Sequence, residues 1–219
     1  MGNTEQRGSH RAYSSPAREA AAQLTRQRIT DAAARLFTDS GYSATSVRSI
    51  AQAAGVAEKT VYLQFDTKPA ILKALVDEAI IGADHGVPTV RSPWFIEVLE
   101  QSRLDRKVDL LAKGTSALHE RTGALFAVAR EAAAVDPQVK TLWSRGKRRH
   151  LADMTTIAES FAEHGLIPAH LDNAWATEFL YILLGPENWD LIRRELGHTK
   201  AHYQDWLRTT LTTSFSGKS

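Results

Sequence analysis

The sequence predicts an all-α protein in two parts: a helix-turn-helix headpiece and a larger helical-bundle domain. Three observations carry this. Apolar residues recur at helical spacing from Ile29 almost to the end of the 219-residue chain. No segment alternates with the period of two that a half-buried strand requires. And Thr45 to Phe65 holds two short helical patterns separated by a single glycine, Gly55.

Met1 to Ser14 is polar and reads as a disordered tail. Ser15-Pro16 has the form of a helix start, and the alanine-rich run after it favours helix, so the first helix can begin well before Ile29. Residues 1–22 are assigned to a flexible arm and 23–68 to the headpiece. Arg7, Arg11 and Arg18 could let the arm reach a DNA backbone or minor groove, a solvated tail being the plainer reading. Ile29, Ala32, Ala33, Leu36 and Phe37 form one stripe, which Gly41 ends.

In the stretch that follows, Val47, Ile50, Ala51 and Ala54 fall at i, i+3, i+4 and i+7. Thr45 or Ser46 can cap the start. Gly55 supplies the turn, since glycine enters the left-handed region without steric cost. The second pattern keeps Val61 and Phe65 inside and leaves Glu58, Lys59, Thr60, Tyr62, Leu63 and Gln64 outward or at the edge. This is a helix-turn-helix layout. Thr67 caps a fourth helix, 67–81, which carries Pro69 in its first turn and acts as a connector.

These residues carry a resemblance. Ile-Thr-Asp-Ala-Ala-Ala-Arg-Leu-Phe (29 to 37), Gly-Tyr-Ser-Ala-Thr-Ser-Val-Arg-Ser-Ile-Ala (41 to 51), Ala-Gly-Val (54 to 56), Thr-Val-Tyr-Leu-Gln-Phe (60 to 65) and Lys-Pro-Ala-Ile-Leu (68 to 72) resemble the amino-terminal domain of TetR-type transcriptional regulators. The resemblance implies a DNA-facing role for Thr45, Ser46, Arg48, Lys59, Thr60, Tyr62, Leu63, Gln64 and Lys68. Thr45 or Ser46 would hold a phosphate, Arg48 a guanine or a phosphate, Tyr62 a phosphate through its hydroxyl, and Lys68 the far backbone. Leu63-Gln64 stands where many relatives carry larger or more basic residues. Gln64 is suited to adenine and Leu63 to a thymine methyl group.

Beyond the connector, residues 82–219 are expected to form a ligand-binding and dimerisation domain. Gly82 to Pro93 reads as a linker, and Phe95 to Leu99 as a short helical piece. Further helices are expected from Leu104 for about fifteen residues, then over Ala124–Val135, Val139–His164, Leu171–Leu184, Trp189–Leu196 and Thr199–Thr213. In the family this part pairs two subunits through its last two long helices, and the matching candidates are Trp175 to Leu184 and the helix from Thr199 on. Both are too apolar for a solvent face, and two helices from each subunit would make a four-helix interface. Trp94, Phe126, Trp143, Met154, Phe161 and Trp175 are candidates to line a ligand pocket, plain core being the competing reading.

Composition narrows the rest. With 43% hydrophobic and 24% charged residues the chain is an ordinary soluble globular protein. It has no apolar run near the roughly 20 residues of a membrane span and no secretory start, so a cytoplasmic location is expected. Zero cysteines exclude disulfides, thiolate metal sites and a thiol nucleophile. Residues 1–68 carry nine Lys/Arg against six Asp/Glu, and the remainder 18 against 19, a mildly basic front that suits phosphates. His198 and His202 have a spacing that can grip a metal, but no third ligand or intervening Glu follows, so no metal site is assigned. Arg145 to His150 is a basic cluster, read as a charged outer helix face. No nucleophile elbow, phosphate loop or dinucleotide glycine set occurs, so no catalytic residues and no cofactor are expected.

The expectation is a DNA-binding repressor. It would act as a homodimer on a palindromic double-stranded operator and be released by an unidentified small molecule. The alternatives are an architectural DNA binder without effector and, less favoured, an enzyme in the carboxy-terminal half.

Overall fold

The computed structural model describes residues 16–82 and 89–217. Among these residues there are ten α-helices, a 3-10 turn at Thr89–Arg91, a π-helical stretch at Leu191–Glu195 and no strand. Arg7, Arg11, Ser15 and residues 83–88 of the expected linker lie outside the described residues.

Helix α1 (Pro16–Ser40) takes in residues 16–22, which the sequence reading gave to a flexible arm. The alanine-rich composition explains the extension, because alanine sacrifices no side-chain entropy in a helix. Gly41, at φ 82°, ends it. Helices α2 (Val47–Ala54), α3 (Glu58–Phe65) and α4 (Lys68–Ile81) complete the headpiece. Their apolar stripes meet in one core of Ile29, Phe37, Ile50, Val61, Phe65 and Ile71. That core does not stop at the headpiece. It runs on through Leu75 into Leu125, Val128 and Ala132 of α6 (Leu104–Ala132), so the two parts share apolar packing.

The sequence reading expected two helices where α6 is one of 29 residues. Glycines inside it, each costing about 1 kcal/mol relative to alanine, lower the local helical signal without marking a break. A Cβ at Gly114 would lie 2.2 Å from the Trp94 ring, and one at Gly123 2.6 Å from the Trp189 indole nitrogen. These glycines admit aromatic rings against the helix surface.

Helix α5 is Pro93–Glu100 and α7 is Pro137–Glu163, the latter capped by Asp136. Next come α8 (Asn173–Leu183) and α9 (Pro186–Asp190), which runs directly into the π-helical stretch, and α10 (Lys200–Phe215) closes the chain. A second core of Phe95, Leu111, Ile157, Phe161, Leu180 and Tyr203 unites α5 to α8 with α10. No helix among the described residues is long and apolar enough to cross a membrane.

Candidate functional site

The turn between α2 and α3 is built by local chemistry. The Ser46 hydroxyl accepts from the Ser49 backbone N–H at 2.9 Å, and the Ser49 hydroxyl accepts from the Ser46 N–H at 3.0 Å, a reciprocal capping box. At the other end Gly55 sits at φ 65°, and the Val56 N–H returns to the Ala51 carbonyl at 3.0 Å. Arg28 of α1 donates to the Ala54 carbonyl at 2.5 Å and to that of Gly55 at 3.1 Å. A guanidinium therefore closes the helix end that the turn leaves open. Arg26 does the same at the next helix end: it donates to the Gln64 carbonyl at 2.9 Å and lies 4.0 Å from the Phe65 ring centroid. Sequence reasoning missed both arginines. Their only signal was a spacing of two on α1 beside the core residue Ile29.

With the unit braced from behind, its outer face is free. Arg48 and Lys59 are exposed, as are Tyr62 (45%) and Leu63 (74%), while Thr60 and Gln64 are half-buried at the edge. Leu63 is a large apolar side chain left exposed on an eight-residue helix among the described residues. Two further expected residues are less exposed than Arg48, Lys59, Tyr62 and Leu63. Thr45 is 2% exposed, and its hydroxyl donates inward to the Gly41 carbonyl at 2.9 Å, with the Leu36 carbonyl at 3.1 Å. It fastens the turn before α2 and does not face outward; Ser46 takes the exposed cap position. Lys68 is half-buried, its ammonium 3.9 Å from the Tyr42 ring centroid. Burial lowers its pKa, against the attraction of Asp136.

Asp136 is one point where the headpiece touches the larger domain by polar contact, the Arg121 guanidinium on the Ala79 carbonyl at 3.2 Å being another. The Tyr42 hydroxyl donates to its Oδ2 at 2.7 Å, while Oδ1 caps α7 by accepting from the Gln138 N–H at 2.9 Å. Burial would raise the Asp136 pKa. The bonds from Tyr42 and from the Val139 and Gln138 N–H groups outweigh it and hold the carboxyl below its ordinary value. Burial first, then this bond and charge, push the Tyr42 phenol up.

Behind the headpiece lies a cavity of about 600 Å³ walled by α4, α5, α6 and α7. Helix α4 contributes Leu72, Val76 and Ile80, so the helix that carries the headpiece is itself a wall. Of the predicted lining residues, Trp94, Phe126, Trp143 and Met154 border this space. Phe161 and Trp175 do not. Phe161 is fully buried 4.5 Å from the Phe215 ring, and Trp175 stacks on Phe179 at 4.8 Å, on the far side of the second core. Aromatic residues at helical spacing carry no label for which side of a helix meets a void.

The basic cluster is also placed differently from expectation. Arg145, Lys147, Arg149 and His150 border the cavity; they are not confined to an outer face. Lys147 pairs with Glu187 at 2.8 Å. Burial lowers the His150 pKa, and its Nε2 lies 3.1 Å from the Tyr181 carbonyl. His119, deep on α6, is held at about 4 by burial, with Nε2 3.0 Å from the Leu184 carbonyl. Since a carbonyl only accepts, Nε2 carries the proton in each neutral ring.

Residues 29–75 match the family described as bacterial regulatory proteins, tetR family. Over that segment the chain is similar to the amino-terminal domain of the tetR family. It is 34% identical over 96 residues to the HTH-type transcriptional regulator YvkB of Bacillus subtilis, a match that spans 44% of each protein and so less than half of that relative's length. Among solved structures it is similar to NalD of Pseudomonas aeruginosa, described as the secondary repressor of the MexAB-OprM multidrug efflux pump. That likeness has a TM-score of 0.67 and 20% identity, and covers 89% of this chain and 97% of NalD. It is also similar to the transcriptional regulator FadR of Bacillus subtilis, solved in complex with stearoyl-CoA, at TM-score 0.66 and 19% identity, covering 88% and 99%. At these identities the structures establish the fold.

The two helices expected to pair subunits differ in what they expose. Tyr203, Leu207, Leu211 and Phe215 of α10 all turn into the protomer's own core. Of its large apolar residues only Trp206 stays half-buried. Helix α8 keeps an outward apolar row, Trp175, Phe179 and Ile182, the last 67% exposed. The rings of His198 and His202 stack at 3.9 Å.

Proposed function

We propose that this chain is a ligand-responsive transcriptional repressor of the cytoplasm, which binds a palindromic double-stranded operator as a homodimer and leaves it when a small molecule occupies the inner cavity. The observation that carries the reading is the double role of α4. It starts beside the recognition helix at Lys68, and its middle, Leu72 to Ile80, walls the cavity. A molecule filling the cavity presses on the element that sets where α3 stands.

On DNA, Lys59, Thr60, Tyr62, Leu63 and Gln64 meet the major groove, with Arg48 and Ser46 on the flanking backbone. The helix dipole and N–H groups at Ser46 suit a phosphate. The outward row on α8 supports a two-fold partner, and such a dimer presents its α3 helices about 34 Å apart, one DNA turn. The effector acts by binding the DNA-incompetent state more tightly, so its effect is bounded by that difference in affinity. FadR, which holds stearoyl-CoA, and NalD, named a repressor, have this fold and lend the reading support.

Arg48→Ala and Tyr62→Phe test the DNA-facing assignment. Each is expected to weaken operator binding by about 1–3 kcal/mol, the worth of one good contact, in a fluorescence anisotropy titration. Unchanged affinity in both variants would refute the assignment.

A further inference from the structure

We propose that the cavity takes an amphipathic organic anion, its apolar body inside and its acidic group held by Arg145 and Arg149 at the mouth. This rests on the effector-cavity reading above and adds the chemical class.

The interior is apolar, with Val76, Phe126, Leu142, Trp143 and Met154 among its walls. Its charges are concentrated on one helix. Four of the five residues from 145 to 149 are cations, Arg145, Lys147, Arg148 and Arg149. Lys147 is neutralised by Glu187 at 2.8 Å. Elsewhere on the lining, Lys73 is closed by its ion pair with Asp77. Arg145 and Arg149 are different. They stand one turn apart on the same face of α7, both border the cavity and both are exposed. Among the described residues neither forms an ion pair.

Like charges at i, i+4 on a helix disfavour one another by a few tenths of a kcal/mol, so the pair is not there for the helix's benefit. The acid nearest along the helix, Asp153, lies one turn beyond Arg149 and forms no ion pair with it. Burial pushes its carboxyl up to about 6, an effect that Arg149 only partly offsets. His119 and His150 add no positive charge, since burial keeps both rings toward the neutral form. Asp153 also borders the cavity and is ionised at neutral pH, so the lining there carries two guanidinium groups outside any ion pair against one carboxylate. A neutral apolar guest would leave them as they are, and a cationic one would meet like charge. A carboxylate, sulfonate or phosphate would gain charge-assisted hydrogen bonds from planar donors suited to it.

Two probes of nearly the same shape separate these cases: anilinonaphthalene sulfonate and its uncharged parent, phenylnaphthylamine. Each is titrated by fluorescence into the full-length protein, the Arg145→Gln/Arg149→Gln double variant, and the cavity-filling variant Leu142→Trp. The wild-type protein is expected to bind the sulfonate about tenfold more tightly than the parent, the worth of one charge-assisted bond. In the double variant the two affinities should converge, with that for the parent unchanged, and Leu142→Trp should weaken both. Equal affinities in the wild type, equal loss of both in the double variant, or sulfonate binding that survives Leu142→Trp overturns the anion assignment alone. Binding of neither probe overturns the cavity reading and this inference with it.

Discussion

At Asp153, burial acts against the charged carboxylate and raises its pKa from 3.8 to about 6. A group that holds its proton more tightly when folded lowers stability as pH rises from the unfolded value through the folded one. Here that window is about pH 4 to 6, and the loss is complete at pH 7. Asp153→Asn removes the titration, so the variant should melt at a higher temperature than wild type at pH 7 and match it at pH 4. A difference of the same size at both pH values in scanning calorimetry would show that packing, not charge, sets the effect. The same scale separates Thr45 from Ser46. Thr45 and Ser46 are adjacent hydroxyls before one helix, and sequence does not rank them. The phase of the core does: Thr45 points at the α1 carbonyls, which leaves Ser46 to cap α2.

At the scale of the element, the α2–turn–α3 unit was legible because its rules are local. Val47, Ile50, Val61 and Phe65 read as inward at helical spacing and are buried. Gly55 read as the left-handed turn and has that conformation. The arginines that secure it were not legible, since Arg26 and Arg28 act across 38 and 27 residues of chain. Continuity of α6 was hidden for a related reason. Its glycines are explained by Trp94 and Trp189, which reach it only in three dimensions. Gly55→Ala combines two penalties, a Cβ in the left-handed region and a 2.7 Å approach to the Arg28 guanidinium. It is expected to destabilise the protein by about 1–2 kcal/mol, read by urea denaturation. Wild-type stability in that variant would mean that the turn accepts a side chain after all.

At the scale of the whole molecule, the two parts are joined by a shared core through α4 and α6 and by the Tyr42–Asp136 hydrogen bond. That junction is what a sequence divided at residue 68 or 82 conceals. The cavity was partly legible: four of six aromatic and methionine candidates reach it, and the basic run beside it reads as an outer face because exposure and lining are not exclusive. The proposed dimer face rests chiefly on α8, since α10 buries Tyr203, Leu207, Leu211 and Phe215 within the protomer. Ile182→Asp puts a charge at the most exposed position of that row and is expected to convert the proposed homodimer to monomer, seen by light scattering during gel filtration. A variant that stays dimeric would place the interface elsewhere.

Selection of bound duplexes from a random DNA pool by the full-length protein bears most directly on the reading as a two-fold operator binder. It should enrich a palindrome whose half-sites are centred about one helical turn, roughly 34 Å, apart. Enrichment lost with Tyr62→Phe would tie the sequence to α3. Recovery of no common sequence, or of a single unrepeated half-site, would contradict it.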